Sequence, residues 1–135
     1  MHALCLQVCP VHSQASTHSL THSLTHPPTH LQKQYNYGQP RVGNAALAQY
    51  ISAQAPAQGP NYRATHTDDP VPRLPDTAMG YAHSTPEYWI SRGADDVQTG
   101  DVVVFEAADD RRGNAGTGWF DVGAHMHYFG PISVC

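Results

Sequence analysis

From Lys33 onward, apolar side chains fall in short runs that Gly and Pro interrupt, a rhythm of alternating strands and helices. Gln34-Tyr35-Asn36-Tyr37 reads as a short strand ending at Gly38, and Gln39-Pro40-Arg41-Val42-Gly43 as a turn. Asn44 suits a helix N-cap because its side chain can accept from an orphan backbone N–H. A helix is expected over about Ala45–Ala53, with Leu47, Tyr50 and Ile51 as its buried stripe at i, i+3 and i+4. Pro56 and Gly59-Pro60 are expected to end it. Residues 61–67 then read as a strand that Asp68-Asp69-Pro70 breaks. Strand, turn, helix, strand in that order predicts a βαβ unit with parallel strands and a right-handed crossover. Two further strands are expected, Pro86–Ile90 and Asp101–Glu106, joined by a polar turn region containing Gly93-Ala94-Asp95-Asp96 and Gly100. Asp109 to Gly118 is a polar loop, and residues 120–134 lead through a loop into a final short element. The fold class is α/β.

Before Lys33 the text is different. Residues 1–32 contain no Asp, Glu, Lys or Arg and hold six of the 10 histidines. Thr17-His18-Ser19-Leu20 repeats as Thr21-His22-Ser23-Leu24 and decays through Thr25-His26-Pro27-Pro28-Thr29-His30. Ser and Thr compete for backbone hydrogen bonds and Pro27-Pro28 blocks a continuing helix. Too little apolar surface is present to offset the entropy of ordering. The expected organisation is a low-complexity, disordered tail over residues 1–33 and one domain over residues 34–135.

Composition narrows the function. A net charge of −4 offers no electrostatic footprint for nucleic acid. No apolar run approaches the roughly 18 residues of a membrane span. Cys5, Cys9 and Cys135 are an odd number, so an oxidised protein leaves one thiol over. Ala3–Cys9 is short, has no basic residue before it and is cut by Pro10, which makes it a poor secretory signal.

Four blocks carry the chemistry, in this order: Tyr37-Gly38-Gln39-Pro40-Arg41-Val42-Gly43-Asn44, Thr65-His66-Thr67-Asp68-Asp69-Pro70-Val71-Pro72-Arg73-Leu74-Pro75, Gly80-Tyr81-Ala82-His83-Ser84-Thr85-Pro86-Glu87-Tyr88-Trp89 and His125-Met126-His127-Tyr128-Phe129-Gly130. Over about residues 34–135 they resemble the C-terminal part of the class 3 lipase family, the fungal lipase-like α/β hydrolases that include secreted lipases and related feruloyl esterases. The resemblance implies the C-terminal portion of an α/β-hydrolase sheet and serine-dependent hydrolysis of acylglycerols or other carboxylic esters. It also implies an extracellular setting, no cofactor and no metal. Asp69 matches the family's triad acid and His125 its base. Elementary chemistry agrees. A carboxylate at the carboxyl end of a parallel strand can accept from an imidazole N–H and fix its tautomer, and imidazole is a base near neutrality. The order acid then histidine suits an α/β hydrolase. Asp68 beside Asp69 disfavours double ionisation. His127 is a rival base, although its place in the block is one of packing.

The nucleophile is the missing part. The family's Gly-His-Ser-Leu-Gly elbow is mimicked only by Thr17-His18-Ser19-Leu20-Thr21 and Thr21-His22-Ser23-Leu24-Thr25. β-Branched threonines oppose the close, strained backbone that the glycines permit. The expectation is an acid and a base without a working Ser19 or Ser23, hence no substantial turnover. The other readings are a feruloyl-esterase-like member, a live esterase using Ser19 or Ser23, and a non-catalytic lipid- or metal-binding protein. For the last, His18, His22, His26 and His30 would share a helical face, although a tag-like tract is the simpler reading. Arg41 and Arg73 are expected to be structural ion-pair partners, and Tyr81, Tyr88 and Trp89 core aromatics. Cys135 matches a family cysteine that forms a disulfide. A half-sheet would expose an edge and an apolar face, so a marginal fold is expected.

Overall fold

A computed structural model of the chain describes residues 33–93 and 96–132. In chain order the elements are β1 (Gln34–Tyr37), β2 (Gly43–Asn44), α1 (Ala45–Gln58), β3 (Asn61–His66), β4 (Tyr81–Ala82), β5 (Glu87–Ile90), β6 (Val102–Phe105) and α2 (Val122–His125). The main sheet has the order β1-β3-β5-β6. β1, β3 and β5 are parallel and β6 runs antiparallel to β5, while β2 and β4 form a small antiparallel pair. The predicted βαβ unit is present. No helix among the described residues is long and apolar enough to cross a membrane.

Local chemistry explains the boundaries. Gly38 follows β1 at φ +61, a left-handed conformation that glycine adopts without steric cost. Asn44 Oδ1 accepts from Leu47 N at 3.0 Å, so the predicted cap is in place. α1 runs five residues past the expected end, because Pro56 is accommodated inside it at the loss of one backbone donor and Gly59, at φ +105, stops it. Its buried stripe also differs from the expectation. Leu47 and Tyr50 are exposed and Ile51 is half-buried, whereas Ala48 is buried. Small residues bring the helix close to its neighbours: Ser52 Oγ accepts from Thr85 N at 2.8 Å. The final strand is also shorter than Asp101–Glu106, since Thr99–Asp101 forms a single 3₁₀ turn.

Strand alternation gives the sheet two unlike faces. On one, Tyr62 stacks against Tyr35 and packs at a tilt against Tyr88, and Ala64, Ile90 and Tyr128 form a small apolar cluster. On the other, Arg63, Thr65 and Glu87 are buried together. Thr65 Oγ1 donates to Glu87 Oε1 at 2.6 Å, Arg63 Nε donates to the Ser84 carbonyl at 3.0 Å, and Arg63 Nη2 lies 3.9 Å from Glu87 Oε2. Of the expected core aromatics, Tyr81, Tyr88 and Trp89 are only half-buried. Large exposed side chains include Tyr35 on β1, Tyr50 on α1, and Trp119 and Phe120 in the loop before α2.

Arg41 is an ion-pair partner, reaching Asp109 Oδ1 at 2.7 Å. Arg73 makes no ion pair among the described residues. It donates to the carbonyls of Thr117 and Trp119, both at 2.8 Å, and to Thr117 Oγ1, with its guanidinium 5.0 Å from the Phe120 ring centre. His83 is buried beside this network, with Nε2 2.6 Å from the Pro72 carbonyl. Burial, then the nearby Arg63 charge, lowers its pKa from 6.5 to about 4. The unfolded chain therefore binds a proton that the folded chain refuses between those values. Stability should fall as pH drops from 6.5 toward 4, and urea midpoints across that window should flatten in His83→Gln relative to the parent.

Candidate active site

The carboxyl ends of β1, β3 and β5 meet at one end of the sheet, where open α/β folds place their sites. Past β3 the chain turns through Thr67, a β-branched residue at φ +30 and therefore strained. Four hydrogen bonds hold this turn. Thr67 N donates to Ile90 O at 2.8 Å, the Thr67 carbonyl accepts from Trp89 Nε1 at 3.2 Å and Asn114 Nδ2 at 3.0 Å, and Asp69 N donates to His66 O at 2.9 Å. Asn114 Nδ2 also reaches the Asp69 carbonyl at 2.9 Å. The turn aims the Asp69 side chain into the protein, where it is fully buried.

Three donors converge on that carboxylate. Val71 N donates to Oδ1 at 2.9 Å, and Oδ2 accepts from Tyr128 Oη at 2.6 Å and faces His125 Nδ1 at 3.0 Å. His125 stands at the end of α2, whose N-cap Asp121 accepts from Gly123 N at 2.7 Å. Its side chain is 26% exposed while that of Asp69 is at 0%, so the pair spans the boundary between interior and solvent. The sequence-predicted residues Asp69 and His125, 56 positions apart, thus meet directly. His127 does not join them; its Nδ1 faces the Gly123 carbonyl at 3.2 Å within its own loop.

Two contributors escaped the sequence reading. Tyr128 marked only an interval there, yet its buried hydroxyl is a second donor to Asp69. Burial, followed by the Asp69 charge, raises its pKa well above 10.0, which keeps the phenol protonated and donating. Gly38 was read as a strand end, but it also seats the base: a Cβ there would lie 2.7 Å from His125 Nδ1 and Cε1 and 2.8 Å from Tyr128 Oη. Nothing in the local sequence signals either contact, since both join segments far apart in the chain. Chemically, the carboxylate can fix one imidazole tautomer and stabilise the imidazolium, leaving Nε2 as the basic nitrogen. Among the described residues no three His, Cys, Asp or Glu side chains converge as a metal site. Ser19, Ser23, the histidine tract and all three cysteines lie outside the described residues.

This half-sheet, with a buried acid facing a partly open histidine beyond the strand ends, is the C-terminal portion of an α/β-hydrolase-type sheet. The comparisons place it more narrowly. The family model described as lipase (class 3) matches residues 14–79. The secreted mono- and diacylglycerol lipase A of Penicillium cyclopium is 52% identical over 106 residues, which are 76% of this chain and 33% of that protein. The secreted mono- and diacylglycerol lipase 1 of Fusarium solani is 41% identical over 103 residues, 75% of this chain and 30% of that protein. The crystal structure of a mono- and diacylglycerol lipase from Aspergillus oryzae superposes with a TM-score of 0.65 at 41% identity, covering 73% of this chain and 37% of that one. The chain belongs to the class 3 lipase family, and it spans about a third of the length of the relatives it matches.

Proposed function

We propose that Asp69 and His125 are the acid and base of a serine-dependent carboxylic ester hydrolase acting on acylglycerols outside the cell, and that this chain by itself does not turn over. The observation that carries the reading is the 3.0 Å contact between a fully buried Asp69 carboxylate and a partly open His125 ring. That geometry suits an orienting acid and a general base. The relatives' names, secreted mono- and diacylglycerol lipases, supply the substrate class and the setting. Inactivity follows from the threonines around Ser19 and Ser23, which oppose the strained turn a nucleophile needs. In this reading residues 34–135 are the domain and residues 1–33 a tail apart from it.

A chimera tests the acid and base. Residues 34–135 would replace the matching part of the Penicillium cyclopium relative, and diacylglycerol hydrolysis would be measured. Hydrolysis should survive the exchange, and Asp69→Ala or His125→Ala should each lower kcat by roughly 10⁴-fold or more. Undiminished hydrolysis in either variant would sink the assignment.

One observation favours a second reading, a live esterase using Ser19 or Ser23: the family match starts at residue 14 and so includes both serines. A fluorophosphonate probe on the full chain separates the two. No labelling is expected; labelling abolished by Ser19→Ala or Ser23→Ala would establish the alternative.

A further inference from the structure

We infer that His66 is a positioning residue for the loop that carries His125, acting through the Ala124 carbonyl. The inference rests on the reading of His125 as the base. His66 is the last residue of β3 and is 1% exposed. Its Nδ1 lies 3.1 Å from the carbonyl of Ala124, the residue before His125, and its Nε2 lies 2.7 Å from the carbonyl of Arg92, just past β5. Its own backbone carbonyl accepts from Asp69 N at 2.9 Å. One residue at the sheet's carboxyl end therefore touches the backbone of Asp69 and that of the residue preceding His125.

The loop needs such an anchor. α2 is four residues long, so its internal bonds cannot set its position on the sheet. Its flanks are tied by Asp121 N to the Asp68 carbonyl at 3.1 Å and by Tyr128 Oη to Asp69. Between those ties, and apart from the His125 ring's own contact with Asp69, the His66 bond to Ala124 joins the loop's backbone to the sheet one residue before His125. Ala124 is itself buried, and His127 N, within the same loop, lies farther from its carbonyl at 3.4 Å. Both ring nitrogens of His66 face carbonyl oxygens, so the bond to Ala124 requires the tautomer or charge state that carries the Nδ1 proton. The His66 ring also leans on Tyr128, with centroids 5.5 Å apart, which limits its rotation.

Isosteres separate positioning from mere filling of space. The side-chain nitrogen of asparagine occupies the place of an imidazole Nδ1 and that of glutamine the place of Nε2, counted in bonds from the backbone. His66→Asn can keep the Ala124 bond and gives up Arg92; His66→Gln does the reverse. The readout is the NMR signal and solvent exchange of the His125 Nδ1 proton in the full chain labelled with ¹⁵N-histidine, with Trp89 Nε1–H as an internal marker of the sheet. The parent and His66→Asn should show a slowly exchanging proton. In His66→Gln exchange should rise about 5–30-fold, the effect of one lost buried hydrogen bond on a local opening. The inference is overturned if the two variants behave alike, if glutamine protects and asparagine does not, or if the parent shows no such proton. The signal reports geometry and not hydrolysis. An inactive chimera would therefore remove the proposed function while leaving this pattern in place, and a failed pattern would leave chimera activity untouched.

Discussion

Glu87→Ala is expected to destabilise the chain by about 3–5 kcal/mol, because it strands a buried cation. Glu87 and Arg63 are directly opposite one another in the β3–β5 register and are 2% and 1% exposed. Burial is the largest influence lowering the Arg63 pKa, with the nearby Arg41 charge acting in the same direction, and Glu87 is the largest influence acting against it. Arg63 Nη2 already lacks a hydrogen-bond partner, so the guanidinium has little in reserve once the carboxylate is gone. Thr65 Oγ1 would lose its acceptor as well. Small domains hold roughly 5–15 kcal/mol in total, so a loss of this size approaches global unfolding. Urea unfolding of Glu87→Ala, Glu87→Gln and the double variant Arg63→Met with Glu87→Leu makes the check. The alanine variant should be worst. The double variant should lie near the parent, because removing both ions also removes their desolvation cost. A double variant as damaged as Glu87→Ala would show that lost packing, rather than an uncompensated charge, sets the effect.

Gly38→Ala is expected to cost about 2–6 kcal/mol and to break the Asp69–His125 contact. Two effects add. The backbone at φ +61 strains any residue with a Cβ, by about 1–3 kcal/mol. The new methyl would also collide with the His125 ring and the Tyr128 hydroxyl, overpacking that costs about 1–3 kcal/mol. Gly80 supplies the control, with φ +85 and open space for 4 Å around the point where a methyl would stand. Gly80→Ala should show the backbone part alone, and the difference between the two variants measures the crowding. Equal unfolding midpoints for Gly38→Ala and Gly80→Ala would refute the seat assigned to Gly38. In Gly38→Ala the His125 Nδ1 proton should also lose its protection from exchange, since the ring must move to admit the methyl.

The two predictions touch features with different visibility in sequence. Local patterns announce local structure. Asn44 before a helical run caps α1 as read, and Gly38 after Gln34–Tyr37 ends β1. Asp68-Asp69-Pro70 breaks β3, as its turn chemistry requires. Where local signals compete, tertiary packing decides. Pro56 reads as a stop, yet α1 continues to Gln58, and Leu47 and Tyr50 read as a buried stripe, yet the helix buries Ala48. Arg63 and Glu87, charged residues inside strands, do not announce themselves as a buried pair; only the parallel register of β3 and β5 brings them together.

The amino-acid order alone specified an α/β chain, its parallel βαβ unit, its family and the two residues, Asp69 and His125, whose side chains meet beyond the strand ends. Each of these is encoded either in short-range periodicity and turn residues or in motif blocks legible as text. The tertiary structure alone decided that Asp69 serves three donors at once, that Gly38 seats His125 and that His66 spans two loops. These contacts join residues that the chain separates by up to 87 positions, from Gly38 to His125, and become neighbours only when the strand ends converge.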